Sequence, residues 1–275
     1  YAGIHAGPQG SEYTGGECQC PEEAPVLIED VGSNGACFVE MPPSGFDFQP
    51  VDRTELKAAV EDYCADFVTA TSIYGPISNW NTSLVTDMSF LFSKYTSADA
   101  LSDDDDNDDD YDTEYPGSYC GESFNEDISG WIVDQVTTME YMFWNARTFD
   151  QDLSAWNTAQ VTSMAYMFSN ARAFNSDLSA WNTAQVTSME EMFQDARAFN
   201  SDLSAWNTGQ VTSMSFMFQD ARTFNGDLSA WNTGQVTSME EMFQNAYAFN
   251  SDLSAWNTAQ VTDMERMFQY ASAFN

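Results

Sequence analysis

Histidine is almost missing from this chain. His5 is the only one in 275 residues, which removes imidazole acid–base chemistry and most nucleophilic triads. Lysine is nearly as scarce, present only as Lys57 and Lys94. With 43 acidic side chains against 8 basic ones, the formal net charge is -35. Nucleic-acid phosphate and anionic membrane surfaces are repelled by such a chain. Cations are its natural companions, and a surface so poor in lysine suits salty or calcium-containing surroundings that screen its self-repulsion. No apolar run approaches the ~20 residues needed to span a bilayer, so membrane insertion is not expected. The chain begins at Tyr1 rather than methionine, as after removal of a signal peptide.

Cysteine stops at Cys120. Cys18, Cys20, Cys37, Cys64 and Cys120 all precede the regular part of the sequence, a clustering expected of a disulfide-stapled N-terminal region in an oxidising compartment. The odd number leaves one thiol free or bridged to another chain. Zinc is a poorer reading, because Cys18-Gln19-Cys20 lacks the usual ligand spacing and His5 has no companion.

What is abundant is repetition. Trp131, Trp156, Trp181, Trp206, Trp231 and Trp256 recur every 25 residues, a period expected of a solenoid. In the unit from Asp177 to Ser201, Met189, Met192, Phe193, Ala196 and Phe199 fall at offsets of three and four, which predicts a short helix. Thr187 is its expected N-cap, with Glu190 completing a capping box and Arg197 near the helix end, where a cation suits the dipole. Asp177 to Trp181 reads as a short strand. The expected fold is therefore an α/β solenoid of 25-residue units, one short strand and one short helix each. Strands stack about 4.8 Å apart while helices need roughly 8–10 Å, so the stack should curve, unless tighter turns flatten it.

Before the repeats the chain divides into a loop-rich, cysteine-containing arm (1–53), a capping helix (54–73), a degenerate first repeat (74–95) and an acidic insertion (96–120); tandem repeats fill 121–275. The helix places Leu56, Val60, Tyr63, Cys64 and Phe67 on one face.

The phrase Trp-Asn-Thr-x-x-Val-Thr-x-Met-x-x-Met-Phe-x-x-Ala-x-x-Phe-Asn-x-Asp-Leu-Ser, over residues 74–95 and 121–275, resembles the DUF285 or bacterial surface protein repeat, a relative of the BspA-type leucine-rich repeats. That resemblance implies a leucine-rich-repeat-like solenoid in a secreted surface protein of a bacterium, microalga or other protist. It implies an adhesive or structural role and no catalytic residues.

Several residue sets invite a function. Asp103, Asp105, Asn107, Asp108, Asp110, Asp112 and Glu114 form a dense acidic run. Four of them match EF-hand ligand positions, but Asp108 stands where that motif needs glycine. The run is either a solvated loop or a non-EF calcium site, and calcium is the one cofactor the sequence suggests. Asn81-Thr82-Ser83 is a glycosylation sequon or an unmodified turn. The units differ mainly between the two methionines and just after the Phe, which makes Tyr141, Trp144, Tyr166 and Phe216 either a candidate interaction patch or scattered surface aromatics. Asp127, Asp152, Asp177, Asp202, Asp227 and Asp252 form a ladder, relieved either by Arg147, Arg172, Arg197 and Arg222 or by backbone donors; cation sites are the alternative. Asn175, Asn200, Asn225 and Asn250 suit a turn-stabilising ladder. The row Thr158, Thr183, Thr208, Thr233 and Thr258 would be the ice-binding face, if there were one.

Identical groups at every rung do not converge on one pocket, so no enzyme is expected; carboxylate pairs of the glycosidase kind are the only catalytic option left. The expected role is a structural protomer of an extracellular fibre, appendage or coat, assembling with itself or with other extracellular structural proteins. A cell-surface adhesive module, with glycans among its ligands, is the alternative.

Overall fold

Every 25 residues the chain returns to the same hydrogen-bond partners: Thr162 N–H donates to Thr137 O at 2.8 Å, Thr187 to Thr162 at 2.8 Å and Thr212 to Thr187 at 2.9 Å. The computed structural model describes residues 48–93 and 120–275, all within one compact unit, Gly45–Asn275. Most of the cysteine-containing arm and of the acidic insertion lies outside the described residues.

The repeats do stack, but not as strand plus helix. Within the described repeats each rung has one isolated parallel bridge, at Thr138, Ser163, Ser188, Ser213, Ser238 and Asp263 in turn, and no α-helix from Phe124 onward. The expected strand Asp177 to Trp181 is a turn instead, closed by Trp181 N–H to Leu178 O at 3.1 Å. Where the helix is expected, turns follow one another: Met192 N–H to Met189 O at 3.2 Å, Gln194 to Glu191 at 3.1 Å, Ala196 to Phe193 at 3.1 Å and Phe199 to Ala196 at 3.1 Å.

Backbone conformation explains the difference. Glu191 and Asp195 have φ of 50° and 49°, and the same two positions are left-handed in the neighbouring rungs, at Tyr166 and Asn170 or Phe216 and Asp220. A left-handed residue third in a four-residue turn ends helical continuation. It also frees alternate N–H groups, which turn to the next rung: Met189 to Ser213 O at 3.3 Å, Glu191 to Ser215 O at 2.9 Å, Phe193 to Met217 O at 3.0 Å and Asp195 to Gln219 O at 2.8 Å. Turn bonds and inter-rung bonds together satisfy the backbone that a helix would have satisfied internally.

The apolar spacing nevertheless marks the core correctly, because turns return the chain to one side every three or four residues as a helix does. Met189, Met192, Phe193, Ala196 and Phe199 are fully buried, and the tryptophans are buried as far as Trp231. Rings sit over their counterparts. Between one pair of rungs the spacing widens from Tyr141–Tyr166 at 4.3 Å through Phe143–Phe168 at 5.4 Å and Phe149–Phe174 at 6.0 Å to Trp156–Trp181 at 6.4 Å. Equivalent groups are displaced unequally, so the step between rungs includes a rotation. With rings rather than helices on the far side, the spacing there stays below the roughly 8–10 Å of helix packing.

At the N-terminal end, α1 (Arg53–Ala65) and α2 (Phe67–Tyr74) replace the single expected helix. Asp66 separates them and caps α2, accepting from the N–H groups of Val68 and Thr69. Leu56, Ala59, Val60 and Tyr63 bury against the first rung. Phe67, expected on that face, is 54% exposed because it begins the second helix. Cys64 is disulfide-bonded.

Candidate interaction face

The side chains that repeat without change are committed to the fold. Each ladder tryptophan donates Nε1–H to a carbonyl of the preceding rung, Trp181 to Leu153 O and Trp206 to Leu178 O, both at 3.0 Å. Asn200, Asn225 and Asn250 N–H groups donate to the carboxamide oxygens of Asn175, Asn200 and Asn225, so the asparagine ladder is structural as expected. Asp152, Asp177, Asp202, Asp227 and Asp252 each accept the N–H of the serine two residues on, at 2.9 Å. The serine hydroxyl and N–H hold the Asp152, Asp202, Asp227 and Asp252 carboxyls below the usual carboxylate range. Backbone donation, not arginine, therefore relieves this ladder. The arginines go to other acids: Arg172 and Arg197 both pair with Asp195, and Arg222 with Asp220.

Other expectations are corrected by position. Thr187 caps no helix; its hydroxyl donates to Thr162 O at 3.1 Å across the rungs. Thr158, Thr183, Thr208 and Thr233 are buried, with hydroxyls donating to the asparagine carbonyls of the following rung, so this row presents no face to ice. Asn81 is 8% exposed and its Oδ1 accepts from Ser83 N–H at 3.1 Å. The acidic run Asp103 to Glu114 lies outside the described residues, as do Cys18, Cys20 and Cys37. Among the described residues no group of acids, cysteines or histidines could hold a metal ion.

The bulkiest changes between rungs fall between the two methionines and just after the Phe. Phe90, Tyr141, Tyr166, Glu191, Phe216, Glu241 and Arg266 occupy one register position, all left-handed. Tyr141 stacks on Phe90 at 4.5 Å and on Tyr166 at 4.3 Å, and Trp144 meets Tyr141 edge-on at 6.2 Å. The four patch residues are half-buried. Tyr141 is thus covered on both faces, whereas Phe216 lies in the same column, in register between Glu191 and Glu241. Beside it runs a column absent from the expectations above: Gln194 Nε2 donates to Gln219 Oε1 at 2.7 Å, Gln219 to Gln244 at 2.8 Å and Gln244 to Gln269 at 2.8 Å. The available signal was glutamine directly after Met-Phe in four consecutive units.

Acidity concentrates midway along this face. Glu190 accepts from Tyr166 Oη at 3.2 Å and from Ser213 Oγ at 3.3 Å. Burial, reinforced by Glu190, pushes the Glu191 carboxyl from its ordinary 4.5 up to about 7, against a bond from Tyr166. Burial also raises Tyr141 to about 12. A carboxyl raised on folding binds its proton more tightly in the native state, so its contribution to stability falls as pH rises from about 4.5 to about 7 and the deficit persists above. Glu191→Gln is therefore expected to stabilise by about 1–3 kcal/mol at pH 8 and to change little at pH 4. Urea melts of parent and variant at both pH values check this; equal gains at both would refute it.

The family model described as "Mycoplasma protein of unknown function, DUF285" matches residues 44–114, 118–222 and 199–275. No curated protein and no solved structure matches the chain.

Proposed function

The chain belongs to the DUF285 family, and on that premise we propose that it is a non-catalytic, extracellular repeat scaffold whose role is to present one variable face. The observation that carries this is the division of labour around each rung. From Asp152 onward the Asp-Leu-Ser-Ala-Trp-Asn-Thr segment keeps its residues and uses them for its own bonds, whereas Tyr141, Trp144, Tyr166, Glu191, Phe216, Glu241 and Arg266 change side chain on a fixed backbone. A regular framework with local substitutions on one surface suits recognition better than catalysis. The face is acidic and rich in hydrogen-bonding groups, which favours partners offering donors or cations, glycans among them. No helix among the described residues is long and apolar enough to cross a membrane.

The test compares two variants for binding to the native cell surface and to immobilised polysaccharides. One carries Tyr141→Ser, Tyr166→Ser and Phe216→Ser; the other carries Asp152→Asn and Asp202→Asn on the invariant side. Loss of binding in the first alone supports the reading. Equal binding by both, or turnover of a polysaccharide by the parent, overturns it.

Calcium belongs to the proposal on the strength of the Asp103 to Glu114 sequence. A melting temperature higher in millimolar calcium than in EDTA is the expected result, and an unchanged one removes calcium.

A further inference from the structure

A cleft of about 210 Å³ opens where the capping helices meet the first rungs, and none of its residues belongs to the variable columns. Gly75, left-handed at φ 70°, ends α2, and Pro76 leads into the turn Ile77–Asn79 that begins the first rung. Both segments line the cleft: Tyr63 from α1 with Phe67 and Thr71 from α2, and Pro76 and Ile77 from the turn. Phe67 meets Tyr63 edge-on at 5.0 Å and is 54% exposed, which leaves much of its ring for an incoming group. Glu126 and Asp127 line the cleft from the following rung.

The polar groups of this cleft are short of a donor. The hydroxyl and N–H of Ser129 hold the Asp127 carboxyl below the usual carboxylate range, so it is ionised. Burial, and after it the charge of Glu126, pushes the Tyr63 hydroxyl up to about 12. Thr71 Oγ1 is buried without a hydrogen-bond partner, whereas Ile77 O already accepts from Trp131 Nε1 at 2.9 Å. No lysine, arginine or histidine lines the cleft. The chain's own arginines are committed elsewhere: Arg53, Arg172, Arg197, Arg222 and Arg266 pair with acids, and Arg147 Nε is buried. The residues outside the description contain no arginine at all.

A flat cation that only donates matches these acceptors. Guanidinium carries five N–H groups and no acceptor, pairs with carboxylates through parallel bonds and stacks on aromatic rings. A neutral sugar would leave both carboxylates without a counter-charge. The volume is below the roughly 300–1,000 Å³ of drug-sized sites and suits one side chain. We propose that this cleft takes an arginine side chain presented by a partner protein, with the guanidinium on Glu126 and Asp127 and the stem against Phe67. The site is separate from the variable face, and neither needs the other.

The probe is an acetylated, amidated peptide of glycine and serine around a single arginine, with citrulline and lysine versions as controls. Peptide-observed NMR titrations are run in roughly 0.15 M salt, which screens the field of the net charge beyond about 8 Å. The arginine peptide is expected to bind, the lysine peptide more weakly and the citrulline peptide not at all. Glu126→Gln and Phe67→Ala should each weaken binding about threefold. Asp134→Asn, the same charge change outside the cleft, should leave it unchanged. Thr71→Val should weaken binding without loss of stability, since it removes a hydroxyl that has no partner. Circular dichroism checks the fold, and should Phe67→Ala unfold, Glu126→Gln is read alone. An arginine peptide that does not bind, a citrulline or lysine peptide that binds as tightly, or equal weakening by Asp134→Asn and Glu126→Gln would each overturn the proposal.

Discussion

Truncating Trp206 or Phe218 to alanine is expected to lower the stability of the stack by about 3–5 kcal/mol. Phe218 is fully buried, lies between Phe193 at 5.7 Å and Phe243 at 5.6 Å, and meets Phe224 of its own rung at 4.0 Å. Its removal opens a cavity that neither neighbouring ring can fill without leaving its own column. Trp206 is 3% exposed, and its loss also strips Leu178 O of the Nε1–H donor. Urea melts give the difference, and a loss below about 1 kcal/mol would place either residue outside the energetic core. Trp256 is the internal control. It donates to Leu228 O like the others but is only half-buried, so Trp256→Ala should cost clearly less.

A backbone test at Asn170 reaches a similar size by another route. Asn170 has φ of 59° and donates its N–H to Gln194 O at 2.7 Å. Proline can adopt neither that φ nor that bond, so Asn170→Pro should cost more than about 3 kcal/mol. Glycine occupies the left-handed region freely, and Asn170→Gly should remain within about 1 kcal/mol of the parent. In a helix, as the apolar spacing suggests for this segment, glycine would be penalised and asparagine would not be left-handed, so the pair of variants separates the two backbones. Asn170→Asp adds a further comparison. Arg147 Nε is buried without a hydrogen-bond partner, whereas Arg172 in the next rung has Asp195 at the equivalent site. Supplying the carboxylate should recover up to about 1 kcal/mol.

Which residues face inward was legible in the sequence, because spacing alone decides burial in a strict repeat. Trp131 to Trp231 and the Met, Phe and Ala stripe are where periodicity puts them. Conformation was not legible, since three-and-four spacing fits a helix and a run of turns equally. The deciding residues are left-handed without being glycine: Glu191, Phe216 and Arg266 carry no local sign of it. Only the second position, where Asn145, Asn170, Asp195, Asp220 and Asn245 recur before Tyr270, mostly uses residue types that tolerate this region. On the candidate face, the variable positions were visible as variation, but their stacking was hidden because it depends on rung spacing. The pairing of Arg53 and Lys57 with Ser89, Leu91 and Ser93 is a tertiary contact, and nothing near either cation in the chain announces it.

The one-way hydrogen bonding between rungs makes the stack an electrical object. Peptides such as Glu190–Glu191 point their carbonyl toward the first rung and their N–H toward the last, accepting from Tyr166 and donating to Ser215. Four such peptides per rung outnumber the opposed bonds that Thr187 and Ala198 make backward to Thr162 O and Arg172 O. In most sheets strand dipoles cancel; here they add along the axis, as they do in a helix. The carbonyl terminus is the negative pole and carries Arg53 and Lys57, while the amide terminus is positive within a chain of net charge -35. The backbone thus gives the stack a polarity along its axis, with its sense fixed by the direction of the chain.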